Sequence, residues 1–457
     1  MQNFDVAIIG AGPAGSATAI GLVRLGYHVA LIDKKQFPRE KLCGDFVNPV
    51  NWSVFQELGI EDRILAQPHA KVTGFRITTA AGREAIAQFN SLGRERAVGL
   101  GLRRVHLDQV LLEQAAELGV TVRQGRRIED LSRTAQGWRL ANSDESLGAK
   151  ILIGADGRNS WVAQRLDLNS AASINGRAIG FQTRLRIPRP QTPPLNILDY
   201  QTCTLSRVRE RARVRVIGGN NATAPLLSFR GQATDPAQWR NRSLDPSHSL
   251  RLTSWSQGTE TEIVTGSEVE IHLFPGGYAG VVGLGDGTIN LCLAIDKQKL
   301  PSERNTGFLF ANILAQNPYL KDILERSKDD PELRSVYPVY FSQRRCYDDG
   351  VLLVGDAARV SEPVTGEGVY FAMRSGLLAA EVSAEALALN DLSASFLRRY
   401  EERCNRVFRS RMSLNAVLRF AIYRPAFVDP LIGLSATNDR MLNSLIGFVC
   451  APEAARQ

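Results

Sequence analysis

The first part of the chain carries a hydrophobic pattern that changes from strand to helix and back. Residues 6–9 form a continuous apolar run, which is typical of a buried strand. A segment rich in alanine, isoleucine, leucine and valine follows at residues 14–25 and ends before Gly26, as an α-helix often does. A second apolar run at residues 29–32 ends in Asp33. This order predicts a βαβ unit with two parallel strands.

Later stretches repeat the strand and helix patterns of this unit. Residues 104–118 have helical periodicity, and a short strand pattern follows at residues 120–122. Residues 149–157 and 351–358 each have the composition of a buried strand that ends in a turn. Residues 369–389 have the pattern of a long helix. We therefore expect these stretches to extend the same layered domain.

A different pattern separates these stretches. Residues 178–187, 269–274, 278–282 and 288–295 alternate between apolar and polar positions, as half-exposed strands do. Their spacing predicts an antiparallel sheet that is inserted between the segments of the first domain.

The stretch 189–267 is polar and poor in large apolar runs. Two interpretations stay open for it. It is either a solvated, partly disordered insertion or a strand whose arginines grip an anionic surface or an RNA backbone. The arginines concerned alternate along the chain and are Arg207, Arg209, Arg211, Arg213 and Arg215.

Composition and charge exclude several classes of protein. The chain has 457 residues, with 55 Lys and Arg against 47 Asp and Glu. The resulting net charge of +8 is too small for a chain of this length to imply a nucleic-acid partner. The six cysteines are scattered without a C-x-x-C pair, so we expect no structural metal site and no disulfide framework. No apolar run is long enough to span a membrane, and we expect a cytoplasmic protein.

The turn between the first two strands has the spacing of a dinucleotide-binding motif. Gly10 permits the tight turn, Gly12 lets the backbone approach a pyrophosphate, and Gly15 lets helix and strand pack closely. Pro13 and Ala14 lie at the start of the helix, whose N-terminus faces the phosphates. The carboxylate of Asp33 can accept hydrogen bonds from a ribose.

Three separated motifs together resemble those of single-component flavoprotein monooxygenases and their relatives, among them the geranylgeranyl reductase family. They are residues 10–15, residues 154–160 (Gly-Ala-Asp-Gly-Arg-Asn-Ser) and residues 355–358 (Gly-Asp-Ala-Ala). Residues 362–376 and 41–45 resemble the geranylgeranyl reductase branch more than the aromatic hydroxylase branch. The W-x-W-x-I-P signature of tryptophan halogenases is absent, which argues against halogenation.

The resemblance implies FAD as the bound cofactor and an α/β (α+β) fold. In that fold a Rossmann-like FAD-binding domain carries an inserted antiparallel β-sheet substrate domain and a C-terminal helical region. The residues that the resemblance assigns to FAD, beyond the glycine-rich turn and Asp33, are Arg104, Asp156, Gly157, Gly355, Asp356, Gly366 and Gly368. The predicted boundaries are 1–70, 97–175 and 335–390 for the FAD-binding domain, 71–96 and 176–334 for the substrate domain, and 391–457 for the helical region.

The function expected from the resemblance is a redox reaction in which NAD(P)H reduces the flavin. Either the reduced flavin delivers hydride to a carbon–carbon double bond of a lipophilic isoprenoid or quinone, or it reacts with oxygen and hydroxylates an aromatic or polyketide substrate. Cys43 is the candidate catalytic residue, as a proton donor or a pocket wall, and a packing role is the alternative. A non-catalytic electron carrier or assembly factor stays open as a third function.

The C-terminal region combines arginines with apolar residues at helical spacing from residue 396 to residue 424. Such a basic amphipathic segment is typical of peripheral contact with an anionic membrane, where a lipophilic substrate would be found. The alternative is a helix that packs on the FAD-binding domain while its arginines are solvated. The arginines are Arg398, Arg399, Arg403, Arg406, Arg409, Arg411, Arg419 and Arg424.

Overall fold

A computed structural model describes most of the chain outside the polar insertion. The described residues are 2–89, 98–169, 178–186, 267–300, 312–327, 333–341, 343–435, 447 and 449–450. The predictions made for the insertion at residues 189–267 lie outside the described residues up to residue 266.

The strands and helices that the hydrophobic pattern predicts occur in the predicted order, and shorter elements for which it made no prediction lie between them. The strands are β1 (Gln2–Ile9), β2 (Val29–Asp33), β3 (Phe46–Val47), β4 (Ala70–Val72), β5 (Gly74–Thr78), β6 (Glu84–Gln88), β7 (Gly99–Gly101), β8 (Thr121–Gln124), β9 (Asp130–Thr134), β10 (Gly137–Ala141), β11 (Ser146–Gly154), β12 (Ala178–Leu185), β13 (Glu268–Phe274), β14 (Gly277–Gly283), β15 (Ile289–Asp296), β16 (Arg334–Val336), β17 (Tyr347–Asp348) and β18 (Val351–Leu353). The α-helices are α1 (Pro13–Arg24), α2 (Asn51–Leu58), α3 (Glu61–Leu65), α4 (Arg104–Glu117), α5 (Trp161–Arg165), α6 (Pro318–Arg326), α7 (Gly368–Leu389), α8 (Ala394–Ile422) and α9 (Pro425–Ser435).

The first sheet has parallel strands at its centre. Its order is β17-β18-β11-β1-β2-β8, and β1 runs parallel to both β2 and β11. Every residue of β2 is buried, as expected of a parallel strand that is covered on both faces. The parallel pairing brings the carboxyl ends of β1, β2, β11 and β18 to one edge, where ligands bind in open α/β sheets.

Small residues let helices α1 and α7 pack closely beside this sheet. A Cβ atom added to Gly21 would lie 2.8 Å from the Cβ of Ala380, and one added to Gly376 would lie 2.4 Å from the carbonyl oxygen of Ala14. Larger side chains would push the two helices apart. The small residues therefore bring the N-terminus of α7 to the same edge of the sheet as the glycine-rich turn.

The second sheet has the order β16-β12-β15-β14-β13-β5-β6. Its strands are antiparallel to their neighbours, except that β13 runs parallel to β5. The hairpin of β5 and β6 comes from an earlier chain segment, so no hairpin turn dictates its direction relative to β13. The predicted α/β fold with an inserted sheet and C-terminal helices is confirmed.

Helix α8 packs against α7 and the edge of the first sheet. The contact is made by a buried stripe at helical spacing, which includes Leu397, Tyr400, Cys404 and Phe408. The prediction that all eight arginines of this region are available to solvent or a membrane is wrong for one of them. Arg411 is 1 % exposed and is paired with Glu367, because it falls on the buried stripe.

Within the described part of the chain, no helix is both long enough and apolar enough to cross a membrane.

Candidate functional site

One cavity of about 750 Å³ runs along the carboxyl edge of the parallel sheet and reaches the second sheet. One end is lined by the turns that follow β1, β2, β11 and β18, and the other by apolar residues of the second sheet. Twelve of the fourteen predicted site residues line the cavity, whereas Gly15 and Gly355 do not contact it. The twelve are Gly10, Gly12, Pro13, Ala14, Asp33, Cys43, Arg104, Asp156, Gly157, Asp356, Gly366 and Gly368.

The glycine-rich turn leaves open space where the motif predicts a pyrophosphate. A Cβ atom at Gly10 would lie 2.4 Å from the carbonyl oxygen of Ala155, and one at Gly15 would lie 1.9 Å from the carbonyl oxygen of Gly10. Gly12 is different, since an added Cβ would meet only the guanidinium of Arg39, at 3.6 Å. The protein itself therefore requires glycine at positions 10 and 15, whereas the open side of Gly12 faces the cavity. This arrangement fits a bound dinucleotide.

Asp33 ends β2 and contacts the glycine-rich turn. Its Oδ2 accepts a hydrogen bond from the amide of Ala11 at 2.9 Å, and its Oδ1 accepts one from the amide of Lys35 at 2.8 Å. A carboxylate can accept about four hydrogen bonds, so capacity is left for a ribose. The side chain also lies 3.6 Å from a guanidinium nitrogen of Arg39.

Arg104 lies at the start of α4, and its guanidinium faces a buried carboxylate. Its Nε and Nη2 donate to the two carboxylate oxygens of Asp108, at 2.8 and 3.0 Å. Asp108 is fully buried and also lies 3.3 Å from Arg39. The carboxylate holds both cations in the cavity wall and raises the pKa of Arg104 despite burial. Pairing of Arg104 with a phosphate stays a prediction.

Asp156 follows β11 and binds the backbone of the next helix. Its Oδ2 accepts hydrogen bonds from the amides of Trp161 and Val162, at 2.7 and 3.1 Å, at the N-terminus of α5. Its Oδ1 is buried and has no partner among the described residues. Burial raises the pKa of this carboxyl group. One oxygen of Asp156 thus has a structural role, and the other fits a donor of a bound cofactor.

Asp356 follows β18 and faces the cavity. Gly355 has a φ of +57°, and a Cβ atom there would lie 2.7 Å from the Cβ of Ala14, so the turn needs glycine for its own packing. The carboxylate of Asp356 accepts a hydrogen bond from Nη2 of Arg158 at 3.3 Å and is about one-third exposed. It is free to accept further bonds from a polar chain in the cavity.

The two glycines at the start of α7 differ in what surrounds them. Gly366 has a φ of +66°, and an added Cβ would lie 2.3 Å from the ring of Phe46. Gly368 is the first residue of α7, and an added Cβ would meet nothing within 4 Å. Close approach of a flat ring therefore fits Gly368, whereas packing against Phe46 by itself explains glycine at position 366.

The backbone of Cys43 is bound by side chains of the second sheet. Its carbonyl oxygen accepts hydrogen bonds from Nε2 of Gln182 and Nδ2 of Asn290, both at 2.8 Å, and from Sγ of Cys292 at 3.3 Å. Its amide donates to Oε1 of Gln182 at 3.3 Å. Burial raises the pKa of the Cys43 thiol, so the thiol keeps its proton at neutral pH. A catalytic role for this thiol stays a prediction.

A buried tyrosine and glutamate lie beside the apolar end of the cavity. The hydroxyl of Tyr278 donates a hydrogen bond to Oε1 of Glu362 at 2.7 Å. Glu362 is 1 % exposed, and burial raises its pKa to about 7. Sequence reasoning did not select either residue as a site residue, although Glu362 begins the stretch 362–376 that carries the family resemblance. Nothing in the local sequence indicates that Tyr278 and Glu362 meet, because 84 positions separate them.

Sequence reasoning also missed the other cations that line the cavity, which include Arg39, Lys41 and Arg158. Burial lowers the pKa of Lys41, and the nearby carboxylate of Asp356 opposes that shift. Lys41 stands in the segment 41–45 that carries the family resemblance, and its charge was the available signal. No group of three or more histidines, cysteines or acidic residues that could hold a metal occurs among the residues that the structure covers.

Comparison with known proteins connects this geometry to flavoproteins. Residues 3–189 match the FAD binding domain family. The chain is 26% identical to digeranylgeranylglycerophospholipid reductase 1 of Methanococcoides burtonii over 428 aligned residues. The alignment covers 92% of this chain and 83% of that protein. It is 24% identical over 441 residues to conditioned medium factor receptor 1 of Dictyostelium discoideum, which covers 94% of this chain and 73% of the relative. The solved structure of the flavin-dependent brominase Bmp2 has the same fold, with a TM-score of 0.69, 18% identity, and coverage of 98% of this chain and 94% of the brominase.

Proposed function

We propose that this chain, a FAD-dependent oxidoreductase of the superfamily that comprises geranylgeranyl reductases and single-component flavoprotein monooxygenases, takes hydride from NAD(P)H and reduces a carbon–carbon double bond of a lipophilic substrate. FAD supplies the hydride chemistry when it is bound. Gly12, Asp33, Asp356 and Gly368 would hold it along the edge of the parallel sheet. The substrate is of the isoprenoid or quinone type.

The observation that carries the proposal is the apolar end of the cavity. The wall opposite the nucleotide-binding turns is made of aliphatic and aromatic side chains, and the cavity continues to it without a break. A hydrocarbon chain gains roughly 25 cal/mol for each Å² of apolar surface that it buries there. The residues of this wall are Phe46, Phe75, Val269, Ile271, Val282, Leu293, Ala294, Val336, Val339 and Val360.

The experiment is an anaerobic turnover with a mass readout. The purified flavoprotein is reduced with NADPH or NADH, and a geranylgeranylated glycerophospholipid or a prenylated quinone is added in detergent. Reoxidation of the flavin together with a product that has gained two hydrogens supports the proposal. No reoxidation by either substrate would overturn it. NAD(P)H as the donor is tested in the first step by bleaching of the flavin absorption.

Hydroxylation of an aromatic or polyketide substrate is the second candidate, because one solved structure with the same fold, PqsL of Pseudomonas aeruginosa, is described as a probable FAD-dependent monooxygenase. The same protein is then reduced and exposed to oxygen with an aromatic substrate. A product that has gained one oxygen atom would favour the monooxygenase. An electron carrier predicts NAD(P)H oxidation that no small substrate stimulates.

We also propose that the protein contacts an anionic membrane through the junction of α8 and α9. Val417, Phe420, Phe427 and Leu431 are each between 47% and 65% exposed there, and the guanidinium of Arg424 lies 3.9 Å from the centre of the Phe420 ring. Apolar side chains with interspersed arginines are typical of interfacial helices.

Continuity with the substrate cavity supports a lipid surface as the partner. The inner side chains of the same segment, Ile422, Val428 and Ile432, belong to one apolar cluster with the cavity residues Phe75 and Val269. The junction of α8 and α9 therefore packs beside the apolar end of the cavity, where a lipophilic substrate would be bound.

Co-sedimentation with anionic liposomes at low and high salt tests the membrane contact. We expect salt-sensitive binding that is lost in Phe420→Ser/Phe427→Ser and weakened in Arg406→Gln/Arg409→Gln. Leu389→Ser is the control, because Leu389 is 66% exposed at the far end of α7. Absence of binding at low salt, or equal loss in the control, would overturn the contact.

A further inference from the structure

We propose that Tyr278 and Glu362 form a proton relay that supplies the proton consumed when the double bond is reduced. This inference rests on the proposed function. Reduction of a carbon–carbon double bond needs one hydride and one proton, and the assignment of FAD accounts for the hydride alone. In this proposal the proton comes from side chains of the protein itself.

The first support is the position of the pair between the two ends of the cavity. Tyr278 belongs to β14 and lines the cavity from the second sheet. Glu362 stands between the cavity residues Ser361 and Pro363, on the segment that leads to Gly368 at the start of α7. Tyr278 thus faces the cavity, and Glu362 lies behind it on the chain segment that leads to the backbone that fits a flat cofactor ring.

The second support is the burial of the glutamate with an unused oxygen. Glu362 is 1 % exposed, its Oε1 accepts the Tyr278 hydroxyl, and its Oε2 is buried without a partner among the described residues. Burial of an ionised carboxylate without a partner costs free energy, so the group keeps its proton. An acid that holds a proton near neutral pH is suited to general acid catalysis.

The charged and titratable groups around Glu362 agree with this assignment. Tyr278 faces it from β14, Tyr423 faces it from the end of α8, and Arg419 faces it from within α8. Arg419 is the one cation among these three, and its guanidinium lies 4.2 Å from the centre of the Tyr340 ring. Burial outweighs this cation and raises the pKa of Glu362 to about 7. Burial and the nearby glutamate raise the pKa of Tyr278 well above its usual value, so Tyr278 passes a proton on without staying ionised.

The step balances as follows. The double bond would gain a hydride at one carbon, which FAD would supply when bound and reduced, and a proton from the Tyr278 hydroxyl at the other. For the transfer, the carboxyl proton lies on Oε1 and the Tyr278 hydroxyl turns to the substrate, so that the hydrogen bond of the pair runs from Glu362 to Tyr278. The O–H bond of Tyr278 then breaks as its oxygen receives the proton of the Glu362 carboxyl, which is left as a carboxylate. The π bond is lost, two C–H bonds form, the substrate is reduced by two electrons and the flavin is oxidised by two. Solvent returns the proton to Glu362 before the next turnover.

The first test measures the proton on Glu362 without turnover. Infrared difference spectra of the oxidised flavoprotein between about pH 6 and pH 8 are compared for the unsubstituted protein, Glu362→Gln and Glu401→Gln. We expect a protonated-carboxyl band that fades towards pH 8, is absent in Glu362→Gln and stays in Glu401→Gln, whose site is half-buried on α8. Asp45 is also buried and its pKa is raised to about 6, so the assignment rests on the part of the band that Glu362→Gln removes. A band whose intensity is unchanged in Glu362→Gln would overturn the relay.

The second test separates the two half-reactions. Tyr278→Phe and Glu362→Gln are expected to be reduced by NADPH at the unsubstituted rate but to be reoxidised by the alkene about 10²-fold more slowly. The unsubstituted protein should lose reoxidation rate above about pH 7, whereas Glu362→Gln should not. Variants that match the unsubstituted protein in reoxidation would overturn the relay alone. An unsubstituted protein that no alkene reoxidises would overturn the proposed function, and the role of the pair with it.

Discussion

At the residue scale, the three glycines of the first turn have different reasons to be glycine. Gly10 and Gly15 face protein backbone at distances that no side chain tolerates, whereas Gly12 faces open cavity. The motif spacing predicts all three positions equally well, but only the packing shows which of them is reserved for a ligand.

A substitution at Gly12 should therefore remove the flavin and keep the fold. We expect Gly12→Val to purify without FAD and to unfold at the temperature of the unsubstituted apo protein, because an added Cβ atom meets only the side chain of Arg39 and the space beyond it is the cavity. Gly15→Val is the contrast, since its side chain would collide with the backbone and should prevent folding. Absorption spectra and thermal unfolding measure both. Full flavin content in Gly12→Val would contradict the placement of the pyrophosphate.

Asp356 offers a second residue-scale prediction. We expect Asp356→Ala to weaken FAD binding by about 1.5–3 kcal/mol, the usual contribution of a hydrogen bond to a charged group. Asp348→Ala is the control, because that carboxylate lies on β17 outside the residues that line the cavity. Flavin release followed by fluorescence gives the two affinities. Equal affinities would remove Asp356 from the cofactor site.

Glu362 should also make stability depend on pH. Its pKa is raised from 4.5 to about 7 in the folded protein, so between these values the folded state binds the proton more tightly than the unfolded state. Stability is then lost as the pH rises through this window, by about 3 kcal/mol at most. Urea unfolding at about pH 5 and pH 8 should show this loss reduced in Glu362→Gln. An identical pH dependence in both proteins would contradict the shift.

At the element scale, helix α8 is bound to the segment that precedes α7. Arg411 pairs with Glu367, both buried, and the amide oxygen of Asn415 accepts a hydrogen bond from the Thr365 hydroxyl at 3.1 Å. These contacts come from the middle of α8 and fix the turn that carries Gly366. The helix therefore supports the cofactor site from behind.

Breaking the buried ion pair on one side should be costly. We expect Arg411→Met to lower the free energy of unfolding by about 3–5 kcal/mol, because Glu367 is left buried without its cation. The double variant Arg411→Met/Glu367→Gln should recover much of this loss. Arg398→Met, which breaks an exposed pair with Glu402, should cost no more than about 1 kcal/mol. Additive losses in the double variant would contradict a coupled pair.

The elements themselves were largely predictable from periodicity, and their side-chain partners were not. Periodicity places α7 and α8 within about two residues, since long apolar patterns survive in the sequence. It assigns Arg411 to the basic surface, because charge alone does not tell which arginine meets a buried acid. Two features join residues that are far apart in the chain, namely the parallel pairing of β13 with β5 and the hydrogen bond between Tyr278 and Glu362. The local sequence around these residues therefore does not indicate either feature.

At the scale of the whole molecule, one cavity joins the nucleotide-binding turns to an apolar wall. We expect one FAD per chain and a rise in the unfolding temperature on adding FAD to apo protein. Ligand at about 100 times its dissociation constant adds about 2.7 kcal/mol. FMN, which lacks the adenosine part that Asp33 would bind, should stabilise less. Equal stabilisation by FMN and FAD would contradict an extended dinucleotide site.

The hydrogen bonds on the Cys43 carbonyl have a consequence for building chimeric proteins. The segment that follows β2 is fixed by Gln182 of β12 and by Asn290 and Cys292 of β15. Grafting β12 or β15 alone from a homologue with other side chains at positions 182, 290 and 292 would leave this carbonyl without its donors. A workable exchange unit therefore consists of three separate sequence stretches that are transplanted together, and recombination libraries for altering substrate range should keep their crossovers out of all three.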